Sequence, residues 1–278
     1  MLVGIIIYII SLLLVAVVGQ LETIFQWRYI DYVWPSEAEK QQAIQSGDYN
    51  VTEPMPMDFA VSQDKRVFIS FSNIFGVPAR LAEVTSHTES SGPLLKPYPS
   101  WDWTNKSSCD AILKPDRIEI DECNRLWVLD SATTLPGKEA TQCHPKLLAF
   151  DIWTDTLLTK ISIPKNIAAN ARTNQSSFTN IRVETGGYFC ENTTATIAQD
   201  SKQLQWVDGI KIIPKNIFGV EEVWFITNRL IHHNRRQVWN ISEINYRIFR
   251  SPVKDLIAGT KCELPKETRD QLKKLENP

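Results

Sequence analysis

Short runs of alternating apolar and polar residues, separated by polar turns, recur along this chain. Between Cys109 and Asp130, the apolar positions Ile118, Ile120 and Leu126 to Leu129 flank a polar Asp-Glu-Cys-Asn corner. Alternation with a period of two indicates half-buried strands, and a polar turn between two such runs indicates a β-hairpin. The same design recurs in MDFAVSQDKRVFISFSN (57–73) and in WVDGIKIIPKNIFGVEEVWFITNRL (206–230). The pattern therefore predicts an all-β protein that reuses one kind of hairpin.

The second strand of each hairpin carries an aromatic residue among aliphatic ones. Repeated hairpins of this kind are typical of a β-propeller, because large flat side chains fill the space between neighbouring four-stranded blades. A β-sandwich with unrelated hairpins is the alternative. Under the propeller hypothesis, five tryptophans are predicted to pack between blades: Trp101, Trp103, Trp127, Trp153 and Trp224.

The segments outside the hairpins differ in character. Tyr29, Val33 and Trp34 alternate weakly with polar residues until Pro35, after which a short charged helix is predicted. The preceding strand is a candidate to close a propeller ring by joining the last blade. Residues 85–108, rich in Pro, Ser and Gly, are predicted to form a long surface loop, and the polar residues 165–180 a second loop.

Several segments resemble the yellow and major royal jelly proteins of insects, and they run in that family's order. The matching pieces are FQWRYIDYVWPSE (25–37), RVFIS (66–70), YPSWDW (98–103), DECNRLWVLDSA (121–132), CHPKLLAFD (143–151), DGIKI (208–212), VWFITNRL (223–230) and INYRIFRSPVKDLIAGTKC (244–262). The resemblance implies the six-bladed yellow type of β-propeller.

Members of that family are longer chains, so the resemblance also implies an internal deletion of the central blades. Residues up to about 183 resemble the family's first part, whereas residues 188–206 resemble a late blade. The fold expected here is an incomplete or distorted propeller with about four blades' worth of sequence. Open sheet faces would remain unless the blades close into a smaller ring or pair with another copy.

The first residues, MLVGIIIYIISLLLVAVV, carry no charge, and small residues follow near Gly19. This pattern predicts a signal peptide over residues 1–19, with an uncleaved anchor as the alternative. Residues 20–262 are then the yellow-like propeller domain and residues 263–278 a charged, flexible tail. The expected protein is secreted and extracellular, with no stable membrane insertion after cleavage.

Secretion implies glycans and disulfides. Sequons lie at Asn50, Asn105, Asn174, Asn192 and Asn240. The five cysteines are Cys109, Cys123, Cys143, Cys190 and Cys262. An odd number leaves one unpaired or without its partner. In an antiparallel meander the first strand begins beside the start of the third, so Cys109 is predicted to pair with Cys143.

Charge and motifs limit the chemistry. A net charge of −2 and a pI near 6.1 argue against a nucleic-acid partner. No nucleophile elbow, metalloprotease motif, phosphate loop or dinucleotide fingerprint occurs, so we predict no catalytic residues, no cofactor and no metal site. The basic stretch around Arg229 is interpreted as a solvated loop.

The resemblance suggests three functions. Some relatives look like binders of biogenic amines, and on that likeness Asn228 would offer an amide to a small amine or catechol-type ligand. Leu230 would stand where those binders carry an aromatic residue, which removes a possible cation–π contact. The alternative is a dopachrome-converting tautomerase of the melanin pathway, although no acid or base for it is identified. A non-enzymatic factor in pigmentation, cuticle or glandular secretion is favoured over both.

Overall fold

The computed structural model describes residues 21–71, 75–121, 123–132, 134–135, 138–164, 203, 206–213, 221–229 and 240–258. In chain order its elements are β1 (Glu22–Trp27), α1 (Glu37–Ser46), β2 (Pro56–Val61), β3 (Val67–Phe71), β4 (Leu81–Glu89), β5 (Gly92–Pro97), a 3₁₀ turn (Trp101–Thr104), β6 (Pro115–Ile120), β7 (Arg125–Asp130), β8 (Thr134–Leu135), β9 (Lys138–Gln142), β10 (Lys146–Asp151), β11 (Thr156–Ser162), β12 (Trp206–Ile213), β13 (Glu222–Asn228), β14 (Tyr246–Pro252) and α2 (Val253–Ile257). The all-β prediction is confirmed.

Each predicted hairpin is present and belongs to a four-stranded antiparallel sheet. Sheet I has the order β2-β3-β4-β5, sheet II the order β6-β7-β10-β11, and sheet III the order β12-β13-β14-β1. A small β8–β9 hairpin lies between β7 and β10. The described residues thus form three blade-like sheets, where the sequence predicted about four blades.

Sheet I lies between the other two sheets, because both of its faces are buried. Phe59 and Ile69 on one face pack with Trp224 and Ile248 of sheet III. Ala60 and Phe68 on the other face pack with sheet II residues, which include Ile118, Val128, Leu148 and Phe150. Strict alternation along β2 and β3 therefore divides the core into two layers, as the period of a strand requires.

An arginine on the β2–β3 hairpin also joins sheets I and II. The Arg66 guanidinium donates to both carboxylate oxygens of Glu83, each at 2.8 Å, and to Asp155 at 2.9 Å. Asp155 lies in the β10–β11 turn, so the planar, bidentate guanidinium fixes that turn against sheet I.

The N-terminal strand β1 completes sheet III. It pairs antiparallel with β14, from Glu22 opposite Arg250 to Trp27 opposite Tyr246. The expectation that an N-terminal strand joins the last sheet is confirmed, but the strand lies earlier than the Tyr29–Trp34 pattern suggested. The predicted charged helix is also present as α1, where the Ser36 hydroxyl accepts from the Glu39 amide.

Two predictions were wrong. Much of the proposed loop 85–108 belongs to the β4–β5 hairpin, in which Leu94 and Leu95 are buried. Trp153 does not pack between sheets, since it is 66% exposed in the β10–β11 turn. Trp224 is buried as expected, and Trp101, Trp103 and Trp127 are partly buried.

Substituting Gly92 with Ala is expected to lower the free energy of unfolding by about 2–3 kcal/mol. Gly92 has a φ of 131°, and an added Cβ would lie 2.6 Å from Trp27 Cδ1 and 2.7 Å from the Gln26 carbonyl. The extra carbon would therefore push β1 away from sheet I. Urea unfolding measures the loss.

The matched control is Gly47→Ala, which has a φ of 76° but no atom within 4 Å of the added Cβ. This variant should lower the free energy of unfolding only by the cost of the strained backbone conformation, about 1 kcal/mol. Equal losses for the two variants would show that Gly92 is not needed for the contact with β1.

Candidate functional site

One outer strand of each sheet, β2, β6 or β12, lies beside an outer strand of another sheet, and β2 contacts both β6 and β12. We call β2, β6 and β12 the inner strands. Their meeting line brings together polar side chains from distant parts of the chain. It is the strongest candidate for a functional site among the described residues, because buried charged groups require specific partners.

Lys211 on β12 connects all of the inner strands. Its ammonium nitrogen lies 2.8 Å from the Ile118 carbonyl and 2.7 Å from a Glu119 carboxylate oxygen, both on β6. It also lies 3.4 Å from Asp58 on β2. Because the Lys211 side chain is only 13% exposed, these contacts form in a partly dry environment, where Coulomb attraction is strengthened.

Asp58 is the most deeply buried member of this cluster. Its carboxylate accepts hydrogen bonds from the amides of Phe59, at 2.9 Å, and Ile118, at 3.1 Å. Burial raises the pKa of Asp58, while the Lys211 ammonium and these amides act in the opposite direction. Gly209 permits the close approach, since a Cβ there would lie 2.7 Å from the Asp58 carboxylate.

Asn228, the predicted ligand-binding amide, lies at the end of β13 and is buried. Its side-chain nitrogen donates to the Pro56 carbonyl at 3.3 Å and to the Asp208 carboxylate. Asn228 thus joins the first residue of β2 to a half-buried acid on β12. Leu230, the second predicted position, lies outside the described residues.

The predicted disulfide between Cys109 and Cys143 is present, and its two cysteines are separated by 34 positions in sequence. Cys143 is buried with Ala111, Leu113 and Ala132. Cys123 is exposed and carries a free thiol. Cys190 and Cys262 lie outside the described residues.

Beside this disulfide lies a buried ion pair that the sequence did not reveal. Asp130, at the end of β7, accepts from Lys146 Nζ at 2.8 Å and from the amides of Leu113, Lys114 and Ala132. Lys146 also donates to the Cys109 carbonyl at 2.9 Å. The only available signal was the polar Asp-Ser pair directly after an apolar strand, which does not name the partner lysine.

Three of the five predicted sequons lie within the described residues. Asn50, Asn105 and Asn240 are exposed. In each, the asparagine side-chain oxygen accepts from the backbone amide two residues later. Asn174 and Asn192 lie outside the described residues, as does the predicted signal peptide.

Neither a metal site nor a membrane span is found within the described part of the chain. There, no group of three or more His, Cys, Asp or Glu side chains is placed to hold a metal ion. None of the helices in that part is long and apolar enough to cross a membrane.

Replacing Lys211 by Met is expected to lower the free energy of unfolding by about 2 kcal/mol at neutral pH, because Asp58 and Glu119 lose their shared cation. A carboxyl whose pKa is raised by folding binds its proton more tightly in the folded state. Stability therefore falls as pH rises from the unfolded value, about 3.9, through the folded value. Without the Lys211 ammonium, the pKa of Asp58 should rise further and this fall should extend to higher pH.

Urea unfolding between pH 4 and pH 8 tests this prediction. Adding Asp58→Asn to the Lys211→Met variant should remove the additional pH dependence. Lys106→Met is the control, since Lys106 pairs with the exposed Asp48. If the free energy of unfolding of Lys211→Met depended on pH in the same way as that of the control, titration of Asp58 would not be the cause of the pH dependence.

Comparison with known proteins identifies the family. The family model described as major royal jelly protein matches residues 115–199 and 187–262, which together cover more than half of the chain. Major royal jelly protein 8 of Apis mellifera is 41% identical over 166 residues, 60% of this chain and 39% of the relative. Major royal jelly protein 6 of the same species is 40% identical over 180 residues, 65% of this chain and 40% of the relative. For major royal jelly protein 1, also from Apis mellifera, the values are 34% over 182 residues, 66% and 41%. The chain thus spans about two fifths of the length of these relatives, and it belongs to the major royal jelly protein family.

Proposed function

We propose that this chain is a secreted royal-jelly-like glycoprotein that acts outside the cell without a reaction of its own. The observation that carries the proposal is the Cys109–Cys143 disulfide. Disulfides persist in oxidising compartments and are rare in the cytosol, where thiols are kept reduced. Family membership and the exposed sequons support the same location.

The geometry of the three exposed sequons supports glycosylation. Asn50, Asn105 and Asn240 each lie in a polar turn, held by a bond from the amide two residues later. A glycan is bulky and needs such an open surface position. We therefore expect glycans at these three residues.

The test is expression of the complete chain in insect cells, followed by recovery from the medium. Intact mass before and after enzymatic deglycosylation, with peptide mapping, should show cleavage near Gly19 and glycans at Asn50, Asn105 and Asn240. Asn→Gln at each position is the matched control and should remove one glycan. Retention of an unglycosylated chain inside the cell would contradict the proposal.

A second candidate is binding of a small amine at the inner strands. The half-buried Asp208 carboxylate and the Asn228 amide lie together at one end of β12 and β13. A carboxylate attracts an ammonium group, and a neighbouring amide supplies directional hydrogen bonds. Titration with serotonin or dopamine should give saturable heat that Asp208→Asn abolishes.

Titration and turnover assays on the same purified protein distinguish an amine-binding protein from an enzyme. Saturable heat without turnover supports the binder, whereas conversion of dopachrome would support the tautomerase alternative. Absence of both would leave the non-enzymatic extracellular role. Glu221→Gln is a suitable control for Asp208→Asn, because it removes an acid at the opposite end of the β12–β13 hairpin.

We further infer that the central part of the family's fold has been deleted from this chain. The family model matches as two segments that overlap at residues 187–199, instead of one continuous segment. The mass of the deglycosylated product from its native source tests this inference. A mass corresponding to residues 20–278 supports the deletion, and a mass larger by the equivalent of whole sheets contradicts it.

A further inference from the structure

A small cavity lies beside the Asn105 sequon, between the 3₁₀ turn and β6, and has a volume of about 180 Å³. Its walls are formed by Asp102, Trp103, Asn105, Ser108, Asp110 and Ala111. Pockets that bind free drug-sized ligands are larger, about 300–1,000 Å³. This cavity therefore suits one small group, such as a single sugar ring, better than a whole free ligand.

The walls of the cavity are fixed by contacts within the chain. The Ile112 amide donates to the Trp103 carbonyl at 2.9 Å, which closes the segment between them into a loop. Asp110 on the far side of that loop pairs with Lys160 of sheet II. Because these contacts already hold the walls, a group that enters the cavity pays little for ordering them.

The wall side chains match the chemistry of a sugar. The carboxylates of Asp102 and Asp110 each offer about four acceptor positions, so they can accept from sugar hydroxyls in addition to their present contacts. The Ser108 hydroxyl accepts from the Asp110 amide at 3.1 Å and can also donate. Trp103 is held by Phe150, with ring centroids 5.1 Å apart, and gives the cavity a rigid apolar wall.

Asn105 borders the cavity and is the atom source for a tether. Its side-chain oxygen accepts from the Ser107 amide at 2.9 Å, which fixes the orientation of the side-chain amide. Glycosylation joins Nδ2 to the anomeric carbon of the first sugar, while the lipid diphosphate carrier leaves and Nδ2 loses a proton. A tethered sugar reaches an effective concentration in the millimolar range at the cavity, so weak contacts are enough to hold it.

We propose that the first N-acetylglucosamine of a glycan on Asn105 occupies this cavity. Its hydroxyl and N-acetyl groups would bond to Asp102, Ser108 and Asp110, and its ring would pack on Trp103. The inference rests on the proposed function, because it requires a glycan at Asn105. The glycan is then a part of the folded structure at this position, as well as a solubilising group on the surface.

The sequons at Asn50 and Asn240 provide matched controls within the same molecule. Both asparagines are exposed and held in turns like that of Asn105, but neither lines this cavity. Their glycans should extend into solvent from the first sugar onward. Any difference in behaviour between Asn105 and these two residues therefore reports on the cavity.

The first experiment measures how fast each glycan is released from the native, full-length protein by a peptide N-glycosidase. This enzyme cleaves the bond between Nδ2 and the first sugar, and peptide mapping by mass follows each site over time. A sugar that occupies the cavity about nine tenths of the time exposes its bond for one tenth. Release from Asn105 should therefore be about tenfold slower than from Asn50 or Asn240. After denaturation the three rates should be equal.

The second experiment measures thermal unfolding after an endoglycosidase has trimmed every glycan to its first sugar. For this purpose the protein is made in cells whose glycans remain of the high-mannose type. The trimmed wild type should unfold about 2–4 °C above trimmed Asn105→Gln, because only the wild type keeps the sugar in the cavity. Asn50→Gln and Asn240→Gln should change the unfolding temperature by less than about 1 °C.

A Ser108→Ala, Asp110→Ala double variant tests the proposed contacts and keeps the Asn105 sequon intact. Asp110 is exposed and Ser108 half-buried, so the folded chain should tolerate both changes. Release from Asn105 should become as fast as release from Asn50. The same double change in an Asn105→Gln background measures any structural cost that does not involve the sugar.

The outcomes separate this inference from the proposed function. A peptide map without a glycan at Asn105 would contradict both. A glycan at Asn105 that is released as fast as those at Asn50 and Asn240 would confirm glycosylation and overturn only the occupied cavity. Slow release that persists in the Ser108→Ala, Asp110→Ala variant would show that these side chains do not hold the sugar, and it would also overturn the proposal.

Discussion

Replacing Lys146 by Met should lower the free energy of unfolding by about 3–5 kcal/mol, the largest effect expected for a single substitution. Lys146 and Asp130 are 2% and 0% exposed, and their charged atoms are 2.8 Å apart. Methionine keeps most of the side-chain volume but removes the charge. Asp130 would remain buried with its backbone amide donors and the Coulomb attraction of Arg80, but without a paired ammonium group. Equilibrium unfolding in urea, followed by tryptophan fluorescence, measures the loss.

Lys160→Met is the control for this prediction. Lys160, on the same sheet, also pairs with an aspartate, Asp110 in the turn that precedes β6, but both side chains reach solvent. Exposed ion pairs contribute about 0–1 kcal/mol, so the control should unfold almost like the wild type. A similar loss in both variants would mean that burial of the Lys146–Asp130 pair is not what makes it important.

Removing the disulfide by a Cys109→Ser, Cys143→Ser double substitution should cost about 3–4 kcal/mol. The bond closes a loop with a sequence separation of 34. The entropy that it removes from the unfolded chain increases with the logarithm of that length. Thermal unfolding of the oxidised protein and of the double variant gives the difference. Cys123→Ser, at an exposed free cysteine, should have no effect.

The losses in free energy of unfolding caused by Lys146→Met and by removal of the disulfide should not be additive. Lys146 donates to the Cys109 carbonyl, so the ion pair and the disulfide hold the same segment in place. Neighbouring interactions of this kind couple in a double-mutant cycle. The triple variant should therefore lose less than the sum of the separate losses, and strict additivity would show that the two interactions act independently.

The sequence predicted the hairpins correctly because their local signals agree. In β6–β7 the alternating apolar residues meet at a turn where Asn124 adopts a φ of 59°, a conformation that asparagine tolerates. The β4–β5 hairpin was missed for the opposite reason. Its turn, Ser90-Ser91-Gly92-Pro93, together with an exposed half of β4, has the composition of a loop. Leu95 is buried against Tyr32 and against residues of β1, which are distant in sequence, and this burial decides the structure of the segment. No local sequence pattern indicates it.

The candidate site could be predicted from the sequence less well than the fold. Lys211 and Asp58 are 153 positions apart and meet because β12 packs beside β2. The Cys109–Cys143 pairing could be predicted, since the order of strands within one sheet follows from the chain order. Contacts between different sheets depend on how those sheets stack, which hydrophobic alternation does not specify.

The position of β1 gives the molecule a fixed order of completion during synthesis. Sheets I and II are each built from neighbouring parts of the chain, whereas Glu22 in β1 must wait for Arg250 in β14. Contacts between residues so distant in sequence form late, because a long loop must close first. Until translation reaches β14, β1 lacks the strand with which it forms a hydrogen-bonded ladder, although Trp27 contacts sheet I by donating to the Pro93 carbonyl. Strand β14 therefore completes sheet III, and a ribosome that stops before residue 246 would release a protein in which β1 lacks the strand with which it pairs.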